Sequence, residues 1–167
     1  MLTNHSPTVY LCGTITTDPK YLNWRTETEE KLATWGINAL SPIRGKTASQ
    51  WSSDGLDSIQ PTIYDRGGFV DRDYRDVRRC DAVLVMFFEP PDRQSIGTWV
   101  EFGWADEMRK PIVVASDLPE VIQHPFIWKR AARVCPTLEE AQLYLQFLLG
   151  EHQPCNTGIP EKLGDAH

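Results

Sequence analysis

The apolar residues of this chain recur in two patterns, short continuous runs and longer helical spacings. Continuous apolar runs predict buried strands, and spacings of three and four residues predict helices that bury one face. The predicted strands are 8–13, 37–44, 81–88, 111–116 and a short one near 133–136. The predicted helices are 18–36, 65–79, 95–110, 118–131 and 137–150.

Glycine, proline and polar residues mark the connections between these elements. Gly36 ends the first helix, and Pro42 closes the second strand. A polar stretch at 45–60 is long enough to be a functional lid, and 89–94 is a second loop. Residues 151–167 are predicted to be a flexible tail after a domain that spans residues 1–150.

Strands that alternate with helices predict an α/β fold. We expect a single doubly wound parallel sheet of about five strands, flavodoxin-like or Rossmann-like, with helices on both faces. Ligands of such sheets bind at the carboxyl ends of the strands. Those ends are predicted at Gly13, Arg44, 88–95 and Ser116.

The composition limits which ligands we expect the chain to bind and in which compartment we expect it. The chain has 167 residues, about one domain, and a net charge of −6, which disfavours binding to DNA or RNA polymers. The four cysteines are widely spaced without a CxxC pair, so neither a zinc site nor a disulfide framework is indicated. The first residues lack a charged region followed by an apolar one, so we expect no secretion signal, and no apolar run approaches the ~20 residues that a membrane span needs. We expect a soluble, cytoplasmic protein with reduced thiols.

One carboxylate stands on the apolar side of a predicted helix. Glu101 shares its face with the residues three, four and seven positions away, which are Gly97, Thr98, Trp104, Ala105 and Met108. A carboxylate there is costly to ionise unless it is hydrogen-bonded or functional. Residues 98–101 also fit the S/T-x-x-E capping box, in which the acid bonds back to the start of the helix. Both interpretations stay open on spacing alone.

A second acid repeats this pattern in the helix before the central strand. Asp73 lies on an apolar face, whereas Asp71 is spaced for a surface ion pair with Arg75, and the charged run 71–79 is otherwise predicted to be mostly solvated. The face of Asp73 carries Val70, Tyr74, Val77 and Cys80. Asp73 and Glu101 can meet at one end of the sheet. Paired carboxylates serve glycosidic chemistry, one as nucleophile and the other for the proton of the leaving group.

Three segments carry these residues: VYLCGTIT (9–16), VDRDYRDVRRCDAVLV (70–85) and SIGTWVEFGWADEMRKPIVV (95–114). Together they resemble the nucleoside 2-deoxyribosyltransferase superfamily, which also contains deoxynucleoside 5'-monophosphate N-glycosidases. The resemblance covers the core from about residue 8 to 116. Its most specific part is G-x-x-x-E-x-G, which follows a segment with two aspartates eight residues apart.

The resemblance implies three catalytic residues. The family's nucleophile, which forms a covalent ribosyl intermediate, corresponds to Glu101. The aspartate that helps to handle the base corresponds to Asp73, and the tyrosine that orients the nucleophile corresponds to Tyr10. Position alone, without the resemblance, favours an ordinary core tyrosine at Tyr10.

The predicted substrate contacts lie at strand ends and at the start of the Glu101 helix. They are Gly13, Thr14, Ile15, Thr16, Arg44, Asp92, Ser95, Gly97 and Trp99. Arg44 could bind a base carbonyl or a phosphate, or be a surface arginine. Trp99, like Trp24 and Trp51, could stack on a base or belong to the core.

Ser95 bears on the choice of substrate. Transferases of the family usually carry an aspartate six residues before the nucleophile, whereas the monophosphate glycosidases resemble this chain in having serine. A serine at a helix N-terminus can take a 5'-phosphate or 5'-hydroxyl, or be a plain N-cap. The glycosidases, however, tend to have arginine where this chain has Thr14. Asp92 could replace the missing aspartate, or be a solvated loop residue.

The sequence therefore favours an enzyme that cleaves the N-glycosidic bond of a (2'-deoxy)nucleoside through a glycosyl-Glu101 intermediate and transfers the deoxyribosyl group to another nucleobase. A 5'-monophosphate N-glycosidase with water as acceptor is the alternative, because the acceptor depends on how well the site excludes water. A non-catalytic nucleotide sensor and a flavodoxin-like flavin-binding module are further alternatives.

No metal or organic cofactor is implied. The expected partners are a nucleoside or nucleotide, a free nucleobase and, by the resemblance, further copies of this chain in a homodimer or larger assembly. Neither a nucleic-acid polymer nor a membrane is expected as a partner.

Overall fold

The computed structural model describes residues 5–15, 19–44, 68–88 and 95–150. The strands are β1 (Thr8–Gly13), β2 (Asn38–Leu40), β3 (Ala82–Met86), β4 (Ile112–Ala115) and β5 (Arg133–Cys135). The helices are α1 (Pro19–Ala33), α2 (Gly68–Arg79), α3 (Ile96–Glu107), α4 (Pro119–Ile122), α5 (Pro125–Arg130) and α6 (Leu138–Leu149). The predicted lid at 45–60, the loop 89–94 and the tail 151–167 lie outside the described residues.

All five strands are parallel, in the order β2-β1-β3-β4-β5. The predicted doubly wound sheet is therefore confirmed. The chain moves outward from β1 to β2 and then returns to place β3 on the other side of β1. This reversal leaves a crevice at the carboxyl ends of β1 and β3, which is where sheets of this order bind ligands.

The sheet separates two apolar cores. Helices α2, α3, α4 and α5 cover one face, and α1 and α6 cover the other. Side chains alternate along a strand, so Tyr10 and Cys12 point toward α2 and α3, whereas Val9 and Leu11 point toward α1 and α6. The strand β1 thus presents two polar side chains to the helix that carries Glu101.

Two predicted elements are wrong in extent. β2 ends at Leu40 instead of residue 44, because Pro42 has no N–H to donate to a ladder. Arg44 consequently lies in a turn after the strand, where its N–H donates to the Ser41 carbonyl at 3.2 Å. The single helix predicted at 118–131 is two short helices, because Pro125 forces the preceding His124 into an extended conformation with ψ of 124°.

None of the helices in the described ranges combines the length and the apolar character that crossing a membrane requires.

Candidate active site

Glu101 and Tyr10 form the centre of the site. The Tyr10 hydroxyl donates to Oε1 of Glu101 at 2.8 Å, across 91 residues of sequence. Tyr10 is fully buried in the middle of β1, and Glu101 points at it from α3. The capping-box interpretation of Glu101 is wrong, because α3 begins at Ile96 and Thr98 is already its third residue. The acid is on the apolar side of the helix because it binds a strand tyrosine.

The Glu101 carboxyl is tuned by opposing influences. Burial, the largest influence, raises its pKa, hydrogen bonding by Cys12 and Tyr10 lowers it, the Asp73 carboxylate raises it and Arg25 lowers it. The net result is a pKa of about 7. Burial and the neighbouring Glu101 and Asp73 carboxylates raise the pKa of Tyr10, so Tyr10 stays a protonated donor at neutral pH. A carboxyl with such a pKa can exist as a carboxylate or an acid near neutrality.

Cys12 is a polar neighbour of Glu101 that the sequence analysis did not assign to the site. Its thiol is fully buried and donates to the Thr98 carbonyl at 3.5 Å. Burial and the nearby Glu101 carboxylate raise its pKa, so it remains a thiol and a donor. The signal was present in the sequence, since residues two apart on a strand share a face and Cys12 follows Tyr10 at that spacing.

Asp73 enters the same site from α2. Only 4% of the residue is exposed, although its helix is strongly charged. The neighbouring Arg72 holds Oδ1 of Asp73 through Nε at 3.2 Å and Nη2 at 3.1 Å, and it also donates to the Pro42 carbonyl. The Asp73 carboxylate raises the pKa of both Tyr10 and Glu101, so it lies close enough to act on them electrostatically. The predicted pair of carboxylates therefore belongs to one site.

The charged run of α2 is mostly exposed, as predicted, and a second aspartate is the exception. Asp76 is 2% exposed and forms ion pairs with Arg44 and, at 2.8 Å, with Arg79. Arg44 also donates to the Ser41 carbonyl at 3.0 Å. Arg44 therefore joins the end of β2 to α2, and its predicted contact with substrate stays a prediction.

The start of α3 lies against the end of β1. The Ser95 N–H donates to the Thr14 hydroxyl at 3.4 Å, and the Ser95 side chain makes no capping hydrogen bond. Gly97 is exposed, and among the described residues a Cβ added there would meet only the Ser95 hydroxyl, at 3.4 Å. The buried Thr98 hydroxyl has no hydrogen-bond partner among the described residues. This turn thus offers polar groups beside Glu101.

Gly13 and Ile15 flank Thr14 at the carboxyl end of β1. Gly13 is buried, and a Cβ there would lie 3.1 Å from the Trp24 ring and 3.3 Å from the Met86 carbonyl. Ile15, the next residue but one, is partly buried. Their predicted contacts with substrate are not tested by this geometry.

Two of the tryptophans that were predicted to stack on a base, Trp24 and Trp99, pack into the two cores. Trp99 is partly buried and lies with its ring centroid 4.8 Å from that of Phe87 and 5.6 Å from that of His124. Two residues along a helix are about 200° apart, so Trp99 faces away from Glu101. Trp24 is buried in the opposite core. Stacking of Trp99 on a base stays a prediction, and Thr16, Trp51 and Asp92 lie outside the described residues.

Comparison with known proteins identifies the fold and the family. The structure is similar to a 2-deoxyribosyltransferase from Bacillus psychrosaccharolyticus, with a TM-score of 0.64, 18% identity, and coverage of 86% of this chain and 96% of that one. It is also similar to the CMP N-glycosidase BcmB of Clostridium botulinum, with a TM-score of 0.53, 17% identity, and coverage of 84% and 98%. A comparison with curated protein sequences finds no match.

The family assignment rests on the sequence. The family described as nucleoside 2-deoxyribosyltransferase matches residues 9–139, which include Tyr10, Asp73 and Glu101. The two solved structures share the α/β fold of this chain. The chain belongs to the nucleoside 2-deoxyribosyltransferase family.

Proposed function

We propose that the protein cleaves the N-glycosidic bond of a 2'-deoxynucleoside and transfers the deoxyribosyl group to a second nucleobase. The observation that carries the proposal is the partly buried Glu101 carboxyl, held by the Tyr10 hydroxyl at 2.8 Å beside Asp73. A nucleophilic carboxylate, a donor that fixes it and a second acid are what a two-step glycosyl transfer needs.

In the first step, a Glu101 carboxylate oxygen attacks the anomeric carbon as the bond to the base nitrogen breaks. The bonding electron pair leaves with the base, which takes up a proton from Asp73, directly or through water. In the second step, a ring nitrogen of the acceptor base attacks the same carbon. The Glu101 carboxylate leaves, and the acceptor loses its proton to the Asp73 carboxylate.

Tyr10 acts on the nucleophile itself. Its hydroxyl occupies one lone pair of Oε1 and fixes the direction of the carboxylate. Burial keeps the phenol protonated, so the hydrogen bond lasts through the neutral pH range. Loss of the Tyr10 hydroxyl would therefore lower the rate of attack more than it weakens substrate binding.

A 5'-monophosphate N-glycosidase is the second candidate, and the first turn of α3 favours it. Ser95 stands where transferases usually carry an aspartate, and its hydroxyl makes no capping bond. Exposed amides at a helix N-terminus can receive a phosphate. Water would then replace the second base as acceptor in the second step.

The test is incubation of the protein with a deoxynucleoside, with and without a second base, followed by chromatography of the products. Transfer predicts a new nucleoside, whereas hydrolysis predicts free base and deoxyribose. Glu101→Gln should lose at least about 10³-fold in rate because it removes the nucleophile. Glu107→Gln is the matched control, since Glu107 is an exposed glutamate of the same helix.

The same assay with the 5'-monophosphate separates the two candidates. Ser95→Asp should lower the rate with the monophosphate relative to the nucleoside by about tenfold or more, because it sets a negative charge where the phosphate would bind. An unchanged ratio of the two rates would contradict the proposed contact between Ser95 and the phosphate. A wild-type protein that neither exchanges nor releases any base across a panel of both substrates would refute the proposed function and favour a nucleotide sensor.

We also propose that the protein acts as a homo-oligomer. Helices α2 and α3 carry exposed apolar residues at the end of the molecule that holds the site, and Ile96 is 83% exposed. The others are Val70, Tyr74 and Val100. Apolar side chains gathered on one surface favour covering by another protein surface.

A further inference from the structure

Arg25 is a completely buried arginine beside the site. Arginine is seldom fully buried, because the guanidinium must find hydrogen bonds to replace water. Burial lowers its pKa only to about 10, so it remains a cation at neutral pH. A buried cation in α1 therefore needs a reason, just as the buried acid of α3 does.

The guanidinium holds the carboxyl end of β1. Its Nη2 donates to the Gly13 carbonyl at 2.7 Å, and its Nη1 donates to the Thr14 carbonyl at 3.3 Å. β2 pairs with β1 only as far as Tyr10, so the sheet has no neighbour from β2 at this level. Arg25 thus supplies donors at the point where the shorter strand has ended.

Gly13 packs closely against the same part of α1. A Cβ at Gly13 would lie 3.1 Å from the Trp24 ring, which is a tight contact, and 3.5 Å from Nη2 of Arg25, which is an ordinary van der Waals distance. The Arg25 guanidinium in turn lies 4.5 Å from the centre of the Trp24 ring. Gly13, Trp24 and Arg25 therefore pack against one another at the carboxyl end of β1.

The carboxyl end of β1, which Arg25 holds, is linked to α3 by two hydrogen bonds. The Thr14 hydroxyl accepts from the Ser95 N–H at the start of α3, and Cys12 donates to the Thr98 carbonyl one turn before Glu101. Electrostatically, Glu101 faces Tyr10 and Cys12 from β1, Asp73 from α2 and Arg25 from α1. Among these four neighbours of Glu101, Arg25 carries the positive charge.

We propose that Arg25 is a positioning residue of this site. Its guanidinium holds the carbonyls of Gly13 and Thr14 beside Glu101, and its charge stabilises the Glu101 carboxylate. The proposal deepens the proposed function and rests on it for the catalytic consequence. Arg25 hydrogen-bonds the backbone carbonyls of Gly13 and Thr14, which are predicted substrate contacts. It acts on the reaction through Thr14 and Glu101.

The experiment titrates the side-chain carboxyl carbon of Glu101 by ¹³C NMR in uniformly labelled protein, with its signal identified by its loss in Glu101→Gln. In Arg25→Met, which keeps the length and removes the charge, the midpoint of Glu101 should rise by about one pH unit. In Arg25→Lys it should stay near the wild-type midpoint, because the charge is retained. An unchanged midpoint in folded Arg25→Met overturns the electrostatic role.

Kinetics test the geometric role. Both Arg25→Met and Arg25→Lys should lower kcat by about tenfold or more with a smaller change in KM, because a lysine cannot fork to two carbonyls. The control is Thr28→Val with Gln142→Leu, which replaces a buried hydrogen bond of 2.8 Å between α1 and α6 by apolar groups. The control should keep the wild-type kcat. A wild-type kcat in both Arg25 variants overturns the geometric role.

A measurement on the wild-type protein decides the case if neither Arg25 variant folds. The Arg25 Nη protons should exchange slowly with solvent and show a hydrogen-bond coupling to the Gly13 carbonyl carbon. Rapidly exchanging protons without that coupling overturn the proposal. If the wild-type protein processes no substrate, the proposed function fails, whereas the titration and this coupling still decide what Arg25 does beside Glu101.

Discussion

Glu101 sits where burial, hydrogen bonding and like charge compete. Burial and Asp73 disfavour its carboxylate, and Tyr10, Cys12 and Arg25 favour it. The result is a pKa of about 7, well above the ordinary value of 4.5. A nucleophile must be ionised to attack, so the donors around Glu101 keep a buried carboxylate usable near neutral pH.

The same shift predicts how stability depends on pH. A carboxyl whose pKa is higher in the folded than in the unfolded protein costs nothing below about 4.5 and destabilises the fold increasingly as the pH rises to about 7. Glu101→Gln should therefore raise the free energy of unfolding by up to about 3 kcal/mol at pH 8 and by little at pH 4. Denaturant unfolding at both values measures this, and a gain that is larger at pH 4 would contradict the assignment.

Gly97 offers a test that separates folding from substrate binding. Alanine favours a helix over glycine by about 1 kcal/mol, and within the described part of the chain a Cβ at Gly97 meets only the Ser95 hydroxyl. Gly97→Ala should thus stabilise the protein by roughly 0.5–1 kcal/mol and yet lower kcat/KM, because the methyl group would occupy predicted substrate space.

Gly103 is the matched control for this substitution. It is exposed in the same helix, and a Cβ there meets no atom of the described residues within 4 Å. Gly103→Ala should give a similar gain in thermal stability with an unchanged kcat/KM. Equal kcat/KM values for both variants and the wild type would show that Gly97 does not line the substrate site.

At the scale of single elements, two helices end in the same way with different residues. After α1, the Ile37 N–H donates to the Leu32 carbonyl at 3.1 Å around Gly36, which has a φ of 73°. After α3, the Lys110 N–H donates to the Ala105 carbonyl at 2.9 Å around Arg109, which has a φ of 54°. Both are Schellman ends, but only glycine adopts a positive φ without strain.

This difference predicts opposite effects on stability. Arg109→Gly should raise the free energy of unfolding by up to about 1 kcal/mol, and Gly36→Ala should lower it by about 1 kcal/mol. Neither change touches the active site, so kcat should stay the same. Thermal unfolding of the two variants measures the effect, and a loss of stability in Arg109→Gly would contradict it.

The elements also show what a sequence pattern can predict. The buried strands β1, β3 and β4 were predictable because a continuous apolar run is typical of a strand that is covered by helices on both faces. The division of 118–131 into α4 and α5 was missed, although Pro125 carries the signal. Asp76 was missed for another reason, since its burial depends on Arg44 and Arg79, and charge spacing on α2 does not show which partner covers it.

Arg25 and Cys12 show the same limit at the site. Both lie on the buried side of their elements, which periodicity can indicate, because Arg25 stands seven residues before the buried Leu32. Their contacts with β1 and α3 depend on where β2 ends and how the helices pack. Sequence patterns predict which face a residue lies on, and only the assembled fold determines what it meets there.

For the whole molecule, the proposed oligomer makes the surface of α2 and α3 testable. Val70→Lys with Ile96→Lys should dissociate the assembly, because two charges would have to be buried between the subunits. Phe147→Lys is the control, since Phe147 is 68% exposed on α6, which covers the other face of the sheet. Light scattering coupled to size-exclusion chromatography gives the mass. A monomeric wild-type protein would contradict the oligomer, and dissociation by Phe147→Lys alone would assign it to another surface.

Glu101 as the nucleophile is the claim on which the function depends. Mass spectrometry of protein quenched during reaction with a 2'-fluorinated deoxynucleoside tests it most directly, because fluorine slows both steps by destabilising their oxocarbenium-like transition states. We predict a mass increase of one glycosyl group, located on the peptide that contains Glu101 and absent from Glu101→Gln. Release of base without an adduct, or an adduct on another residue, would contradict the assignment of Glu101.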